Sequence, residues 1–323
     1  MRNSLKGKPR KVLPRGKRVV VIGGGTGVFT VLSGLRTYSL NLSAIVSMAD
    51  DGGSSGVLRE EFGILPPGDV RRAMVALSRH PNKMLAQLFS YRFSEGKLAG
   101  HSFGNLILTA LERSFGSFEK AVKEASKMLQ LKGEVIPVTL NNTRLFAELE
   151  NGTVIRGETN IDIPKHDGKL KIKKIWLDPK AKINLNAKKA IAEADMIVLG
   201  PGDLYTSILP NFLVQGMPEA IREAKGKKVY VCNMMTKYGE THRFSAPDFV
   251  KKLEEGLGSK PDIILLNNKK PTQKMLAKYR EEEAGFVAPG VYGANVIKAD
   301  LLRRGTLIRH DPKKLAKILT ELL

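Results

Sequence analysis

The sequence predicts an α/β fold: a Rossmann-like parallel sheet with flanking helices and a β-rich excursion around residues 134–178. Three observations predict it. Arg18 to Ile22 is a short β-branched run that feeds glycines and then apolar residues at helical spacing. Further buried-type runs alternate with helical periodicity towards the C-terminus, as in βαβ units. Between Glu134 and Asp178 the pattern changes to short strand-like runs with Asn151-Gly152 and Asp167-Gly168 as hairpin turn signals.

In chain order, the strand at 18–22 ends at Gly23, Gly24, Gly25, Thr26 and Gly27, after which Val28, Leu32 and Leu35 mark a helix. Leu42 to Met48 is the next parallel strand and ends at Asp50 and Asp51, followed by Gly52, Gly53, Ser54, Ser55 and Gly56. Residues 70–90 and 103–130 repeat apolar positions every three or four residues and read as helical. Val135 to Leu140, Leu145 to Leu149, Thr153 to Glu158 and Leu170 to Leu177 form the excursion. Ala187 to Ala194 is helical, Met196 to Leu199 a buried strand, Lys228 to Cys232 and Asp262 to Leu266 further strands, and Pro312 to Leu323 a final helix. Residues 18–323 are expected to form one α/β domain, behind a basic, solvated tail at 1–17.

With 323 residues, 42% hydrophobic and 26% charged, the chain has material for a substantial core and no sign of wholesale disorder. The single cysteine, Cys232, excludes an intramolecular disulfide and points to a reducing compartment, so a cytoplasmic location is expected. No apolar run approaches the ~20 residues of a membrane span. The net charge of +21 invites a nucleic-acid reading, but its distribution weakens it. Residues 1–18 hold eight cations and no acid, residues 165–190 hold nine lysines against Asp167 and Asp178, and only +6 is left for the remainder. Aromatics are 6% and do not interleave with basic residues, so nucleic acid is not the expected partner.

Chemistry gathers in the loops. A glycine turn between strand and helix presents backbone N–H groups at the positive end of the helix dipole, where a phosphate is stabilised without a cationic side chain. Gly23 to Gly27 has that form, although Thr30 occupies the third glycine position of the dinucleotide fingerprint. Asp50 and Asp51 end a strand and can accept ribose hydroxyls or hold magnesium, or Asp50 and Ser54 can cap a helix. Arg59 lies one turn beyond Ser55. After Gly68, Asp69 suits a helix cap, and Arg71 or Arg72 can face the crevice. Ser102 is either a cap or a ligand donor, with Asn105 beside it, and a lone His101 reads as structural. Gly200, Gly202, Asp203, Tyr205, Thr206 and Ser207 form a third loop after a buried strand, with Asn211 shortly after. Such loops meet at one edge of a parallel sheet and suit a nucleotide diphosphate. Asn233 to Thr241 is expected to add a wall. Cys232 reads as buried, and no nucleophile with a partnered base stands out.

The strings GGGTG (23–27), ADDGGSSGVLREEFGILPPGDVRR (49–72), GHSFGNL (100–106), GPGDLYTSILPN (200–211), NMMTKYGET (233–241) and RHDPKKLA (309–316) resemble the YvcK-like gluconeogenesis factors, which share a superfamily with the CofD phospholactate transferases. The resemblance spans about residues 18–318. It implies a nucleotide-diphosphate-binding Rossmann-like fold and a regulatory binder of a UDP-sugar resembling UDP-N-acetylglucosamine, which supports cell shape and wall synthesis on gluconeogenic carbon. The alternative it implies is a magnesium-assisted transferase acting on a deazaflavin acceptor, with Asp50 or Asp51 holding the ion. Gly200-Pro-Gly-Asp-Leu-Tyr follows the gluconeogenesis-factor form of the third loop. Asp203 and Arg72 stand where those relatives usually carry Ser and Asn. A homo-oligomer is compatible with all of this.

Overall fold

A computed structural model describes residues 16–79, 83–290 and 293–323. Most of the expected basic tail lies outside these residues. Of its last two, Lys17 is tied down, its Nζ 2.7 Å from Asp195.

Seven parallel strands build the main sheet in the order β10 (Val296–Ala299), β9 (Ile263–Asn267), β8 (Lys227–Val231), β7 (Met196–Leu199), β1 (Arg18–Gly23), β2 (Asn41–Val46) and β3 (Glu134–Pro137). The central strands are buried on both faces: every residue of β7 and Val19 to Gly23 of β1 are inaccessible. That burial is why these runs are continuously apolar rather than alternating. Each fully buried Val, Leu or Ile contributes about 1.5–3 kcal/mol, and this layer, with Leu32 and Leu35 of α1 (Gly25–Leu35) against it, forms the core.

Strand order reverses between β1 and β7. The chain moves outward through β2 and β3, then restarts at β7 and proceeds the other way. Ile22 pairs with both Ile45 and Leu199, so β1, β2 and β7 end at one level and their loops leave from a common edge.

A separate antiparallel sheet, β5 (Val154–Arg156), β4 (Arg144–Leu149) and β6 (Ile172–Asp178), carries the excursion. It starts at Arg144, because Glu134–Pro137 is instead claimed by the free edge of β2. Asn151-Gly152 does lie in the β4–β5 hairpin, but Asp167-Gly168 joins no adjacent strands. Both β5 and β6 pair with β4, and α7 (Glu158–Asp162) stands between them.

Helices α2 (Gly53–Phe62), α3 (Gly68–Leu77), α4 (Lys83–Ser90), α5 (Phe103–Phe115) and α6 (Phe118–Met128) follow β2. The expected helical stretch at 103–130 divides at Gly116, whose φ of 64° closes α5 in the left-handed conformation that glycine tolerates. The remaining helices are α8 (Leu185–Ala192), α9 (Leu209–Phe212), α10 (Met217–Glu223), α11 (Ala246–Leu257), α12 (Gln273–Arg280) and α13 (Pro312–Glu321), and a π-helical turn spans Leu204–Ile208. None of the described helices is long and apolar enough to cross a membrane.

Candidate functional site

Open α/β sheets place ligands outside the carboxyl ends of the strands where strand order reverses. Here that point is flanked by the loops after β1 and β7, and they touch. A Cβ on Gly27 would come 1.8 Å from the Pro201 carbonyl oxygen, so only glycine permits this approach. Beside them is a cavity of about 380 Å³, walled by Gly24 to Gly27, Gly52 to Ser55, Gly68 and Asp69, and Gly202 to Ser207 in part. The first residues of α1, α2 and α3 therefore face one space. Their N-cap positions are Gly24, Gly52 and Pro67, and none supplies a side-chain cap. N–H groups that a helix leaves unpaired at its start point towards this cavity.

Acids and arginines complete the wall. The Asp50 carboxylate accepts the Gly52 N–H at 3.1 Å. Asp69 accepts the Gly25 N–H and pairs with Arg72 at 3.3 Å. Burial, and then the charge of Asp50, push the Asp69 carboxyl above the usual carboxylate range. Glu158, at the start of α7, is pushed up to about 9 by burial and by Asp50 and Asp162. Buried Arg71 donates to Asn105 Oδ1 at 3.0 Å and to the Phe89 carbonyl at 3.3 Å; burial and neighbouring Arg72 and Arg92 bring it down to about 10. Ser54 Oγ lies 3.1 Å from His101 Nδ1 and also accepts the Ser102 N–H and the Asn105 side-chain amide. A serine–histidine pair thus exists that sequence reasoning had not singled out. With both oxygen lone pairs engaged, it ties α2 to α5 rather than exposing a nucleophile.

Across Thr26, Gly27, Gly202 and Asp203 this space continues into a larger cavity of about 800 Å³. Its walls mix apolar and polar groups: Met234, Met235, Tyr238, Tyr279 and Ile308 with Asn233, Arg309 and His310. Asn233 Nδ2 donates to the Gly202 carbonyl at 2.8 Å, while its Oδ1 and His310 Nε2 are buried without a partner. Burial holds His310 down to about 4, so its ring is neutral. At the junction, Asp162, Asp203 and Glu240 turn carboxylate oxygens to within 4.8 Å of one another. The Lys237 ammonium sits among them, bonded to Asp162, 3.0 Å from Asp203 and 3.4 Å from Glu240. Burial alone would lower it, but the three carboxylates outweigh burial and hold it above the ordinary lysine value. Glu240 also accepts the Tyr205 N–H at 3.0 Å and the Thr206 hydroxyl at 3.1 Å, so this cluster braces the π-helical turn of the third loop.

Several residues expected at a ligand stand behind the wall instead. Asp51 accepts the N–H groups of Glu158 and Thr159 at 3.2 and 2.9 Å and so caps α7, leaving Asp50 and Asp69 as the adjacent acids of the cavity. Arg59 is 3% exposed and donates to the Asp50 and Thr143 carbonyls and to Asn142 Oδ1, so it braces the loop rather than reaching a phosphate. Ser102 is the cap of α5. Asn211 donates to the Ser207 and Ile208 carbonyls, and Tyr205 is buried. Gly23, Gly56 and Gly200 lie outside the lining, as does Cys232, which is buried with its thiol pushed up to about 12. Arg72 does face the cavity. Sequence reasoning missed Arg92, Glu158, Thr159, Asp162 and Ile163. The last four belong to α7 and its end, in and beyond a stretch whose start reads as strand.

The chain matches the family model described as 2-phospho-L-lactate transferase CofD over residues 19–302. A protein of Thermoanaerobacterium thermosulfurigenes is 47% identical over 316 residues, covering 95% of this chain and 97% of that protein. The gluconeogenesis factor of Bacillus subtilis is 41% identical over 315 residues, covering 95% of this chain and 98% of its own length. A crystal structure of a Bacillus halodurans protein superposes with a TM-score of 0.90 at 41% identity, covering 94% of this chain and 99% of that one.

Proposed function

This chain belongs to the CofD family and resembles its gluconeogenesis factors, and from that premise we propose that it binds a nucleoside diphosphate-sugar, of the UDP-N-acetylglucosamine kind, as a regulatory protein. The observation that carries this reading is the pair of connected cavities. The smaller, polar one offers three uncapped helix starts to a diphosphate. The larger one offers apolar and aromatic walls with partnerless Asn233 Oδ1 and His310 Nε2 to a nucleoside or sugar. In this reading the protein links gluconeogenic carbon metabolism, the term in its relatives' names, to cell-wall synthesis and cell shape, which only the resemblance of its motifs implies. Binding is favoured over catalysis because the Ser54–His101 pair beside the cavity has its serine oxygen engaged. Calorimetry with UDP-N-acetylglucosamine, GDP and NAD tests it: the uridine ligand is expected to bind best, and tight GDP binding with no uridine binding would sink it.

One observation favours a transferase as the second reading. Asp50 and Asp69 face each other closely enough for one to raise the other, a repulsion that a magnesium ion would relieve. Such an ion would neutralise the charge that develops as the diphosphate bridge breaks and a nucleoside monophosphate leaves, while Arg72 and the helix starts would orient the phosphates. Magnesium-dependent transfer of a phospholactate-type group to a deazaflavin acceptor, lost in Asp50→Asn, would establish this activity.

A further inference from the structure

The lysine-rich stretch before β6, which the cleft does not use, meets residues 242–252 in a separate groove of about 430 Å³. Lys169 and Lys171 line it together with Arg243, Lys251 and Lys252, against Asp248 as the single lining carboxylate. That carboxylate is already engaged: it accepts the Ser245 N–H at 2.8 Å and the Ser245 hydroxyl at 2.6 Å, and these bonds, with the more distant charges of Lys171 and Lys251, hold it below its ordinary value. Lys252 pairs with Glu255 at 2.8 Å, and Lys169 lies 3.8 Å from Glu283. Among the described residues no carboxylate comes within 4 Å of the charges of Lys171, Arg243 or Lys251.

Two further features mark this place. Arg243 has a φ of 59°, the left-handed conformation that a side chain with a Cβ adopts at a cost and that collects at ligand clamps. Beside it, His242 packs edge-on against Tyr238 and keeps both ring nitrogens buried without a partner. Gathering like charges in a concavity is unfavourable unless an anion compensates them.

We propose that this groove is a second ligand site, for a small phosphate-bearing anion. Its volume is that of a metabolite pocket. With a chain charge of +21, a second copy is an unsuitable occupant. The site is joined to the cleft by one segment: Lys237 and Tyr238 line the large cavity, and the Thr241 hydroxyl accepts the Lys237 N–H at 3.0 Å.

The test is titration of the isotope-labelled full chain with inorganic pyrophosphate, read at the backbone amides. Those of residues 169–171 and 242–252 report the groove, and those of Gly24 to Gly27 report the cleft separately. Saturable shifts at the groove are expected, weakened tenfold or more by Lys171→Glu with Lys251→Glu, and weakened by added salt. Arg243→Gly relieves the left-handed strain; it is expected to weaken binding at the groove while melting no lower than the parent chain. Shifts confined to the cleft, groove shifts that survive the two charge reversals, or a single-stranded oligonucleotide that outcompetes pyrophosphate at these residues would each overturn the assignment.

Discussion

Four helix starts away from the cavity contrast with three that face it. Away from the cavity, α6, α8, α12 and α13 begin at Ser117, Asn184, Thr272 and Asp311, each of whose side chains accepts a backbone N–H of the first turn, whereas α10 begins at Gly216 without such a bond. At the cavity, α1, α2 and α3 begin at two glycines and a proline with no such bond. Glycine at an N-cap costs about a few tenths of a kcal/mol relative to a capping side chain, so three adjacent helix starts without a side-chain cap are a small cost that a bound anion would offset. The difference teaches where stability has been set aside for a ligand. It also locates the site without any cationic side chain, in a chain whose charge is its most visible property.

Four changes break or sharpen that contrast. The largest effect is expected from Gly27→Ala, which drives a Cβ into the Pro201 carbonyl. Urea denaturation should show a loss of about 3 kcal/mol, and calorimetry no nucleotide binding. Next, Lys237→Ala leaves Asp162, Asp203 and Glu240 facing one another. The melting curve is expected to fall by about 2 kcal/mol, with partial recovery on adding manganese, which should not affect the parent chain. Ser117→Ala removes a cap far from the cleft and should cost about 1 kcal/mol with unchanged ligand affinity. Gly52→Asn supplies the missing cap to α2 but sets a Cβ 2.7 Å from the Thr159 hydroxyl, which must move aside; it should cost about 1 kcal/mol or less, yet weaken nucleotide binding tenfold or more. A capped α2 that binds as well as before would erase the contrast.

The pH response tests the acid side of the cavity. Glu158 keeps its proton up to about 9 in the folded chain, whereas unfolding returns it to the ordinary glutamate range. The folded state therefore holds one more proton between those values, and this group makes stability fall as pH rises across that window. Nucleotide affinity should likewise fall between pH 8 and 10 as Glu158 ionises beside the diphosphate. Titration calorimetry of Glu158→Gln should show a flatter profile; an identical decline would assign the effect to another group.

Much of this site is legible in local sequence, because glycine loops after buried strands are local patterns. Gly24 to Gly27, Gly52 to Ser55 and Gly202 to Ser207 meet as their placement after β1, β2 and β7 predicts. What is illegible depends on distant partners. Arg59 has helical spacing suited to a phosphate, yet Asn142 and Thr143, more than 80 positions away, take its guanidinium. Asp51 looks equivalent to Asp50, but α7, over 100 positions on, takes its carboxylate. Glu158 escaped notice because Thr153 to Glu158 reads as strand, while Gly157, at φ 94°, turns the chain into α7. Strand β10 is four residues at the sheet edge, too short for a periodic signal.

A crystal structure with UDP-N-acetylglucosamine tests the central claim most directly. The diphosphate is expected within hydrogen-bond distance of the Thr26 and Gly27 and the Gly53 to Ser55 amides, with the rest of the ligand extending towards Tyr238 and Tyr279. A diphosphate bound by side chains elsewhere, with those amides left to water, would contradict it.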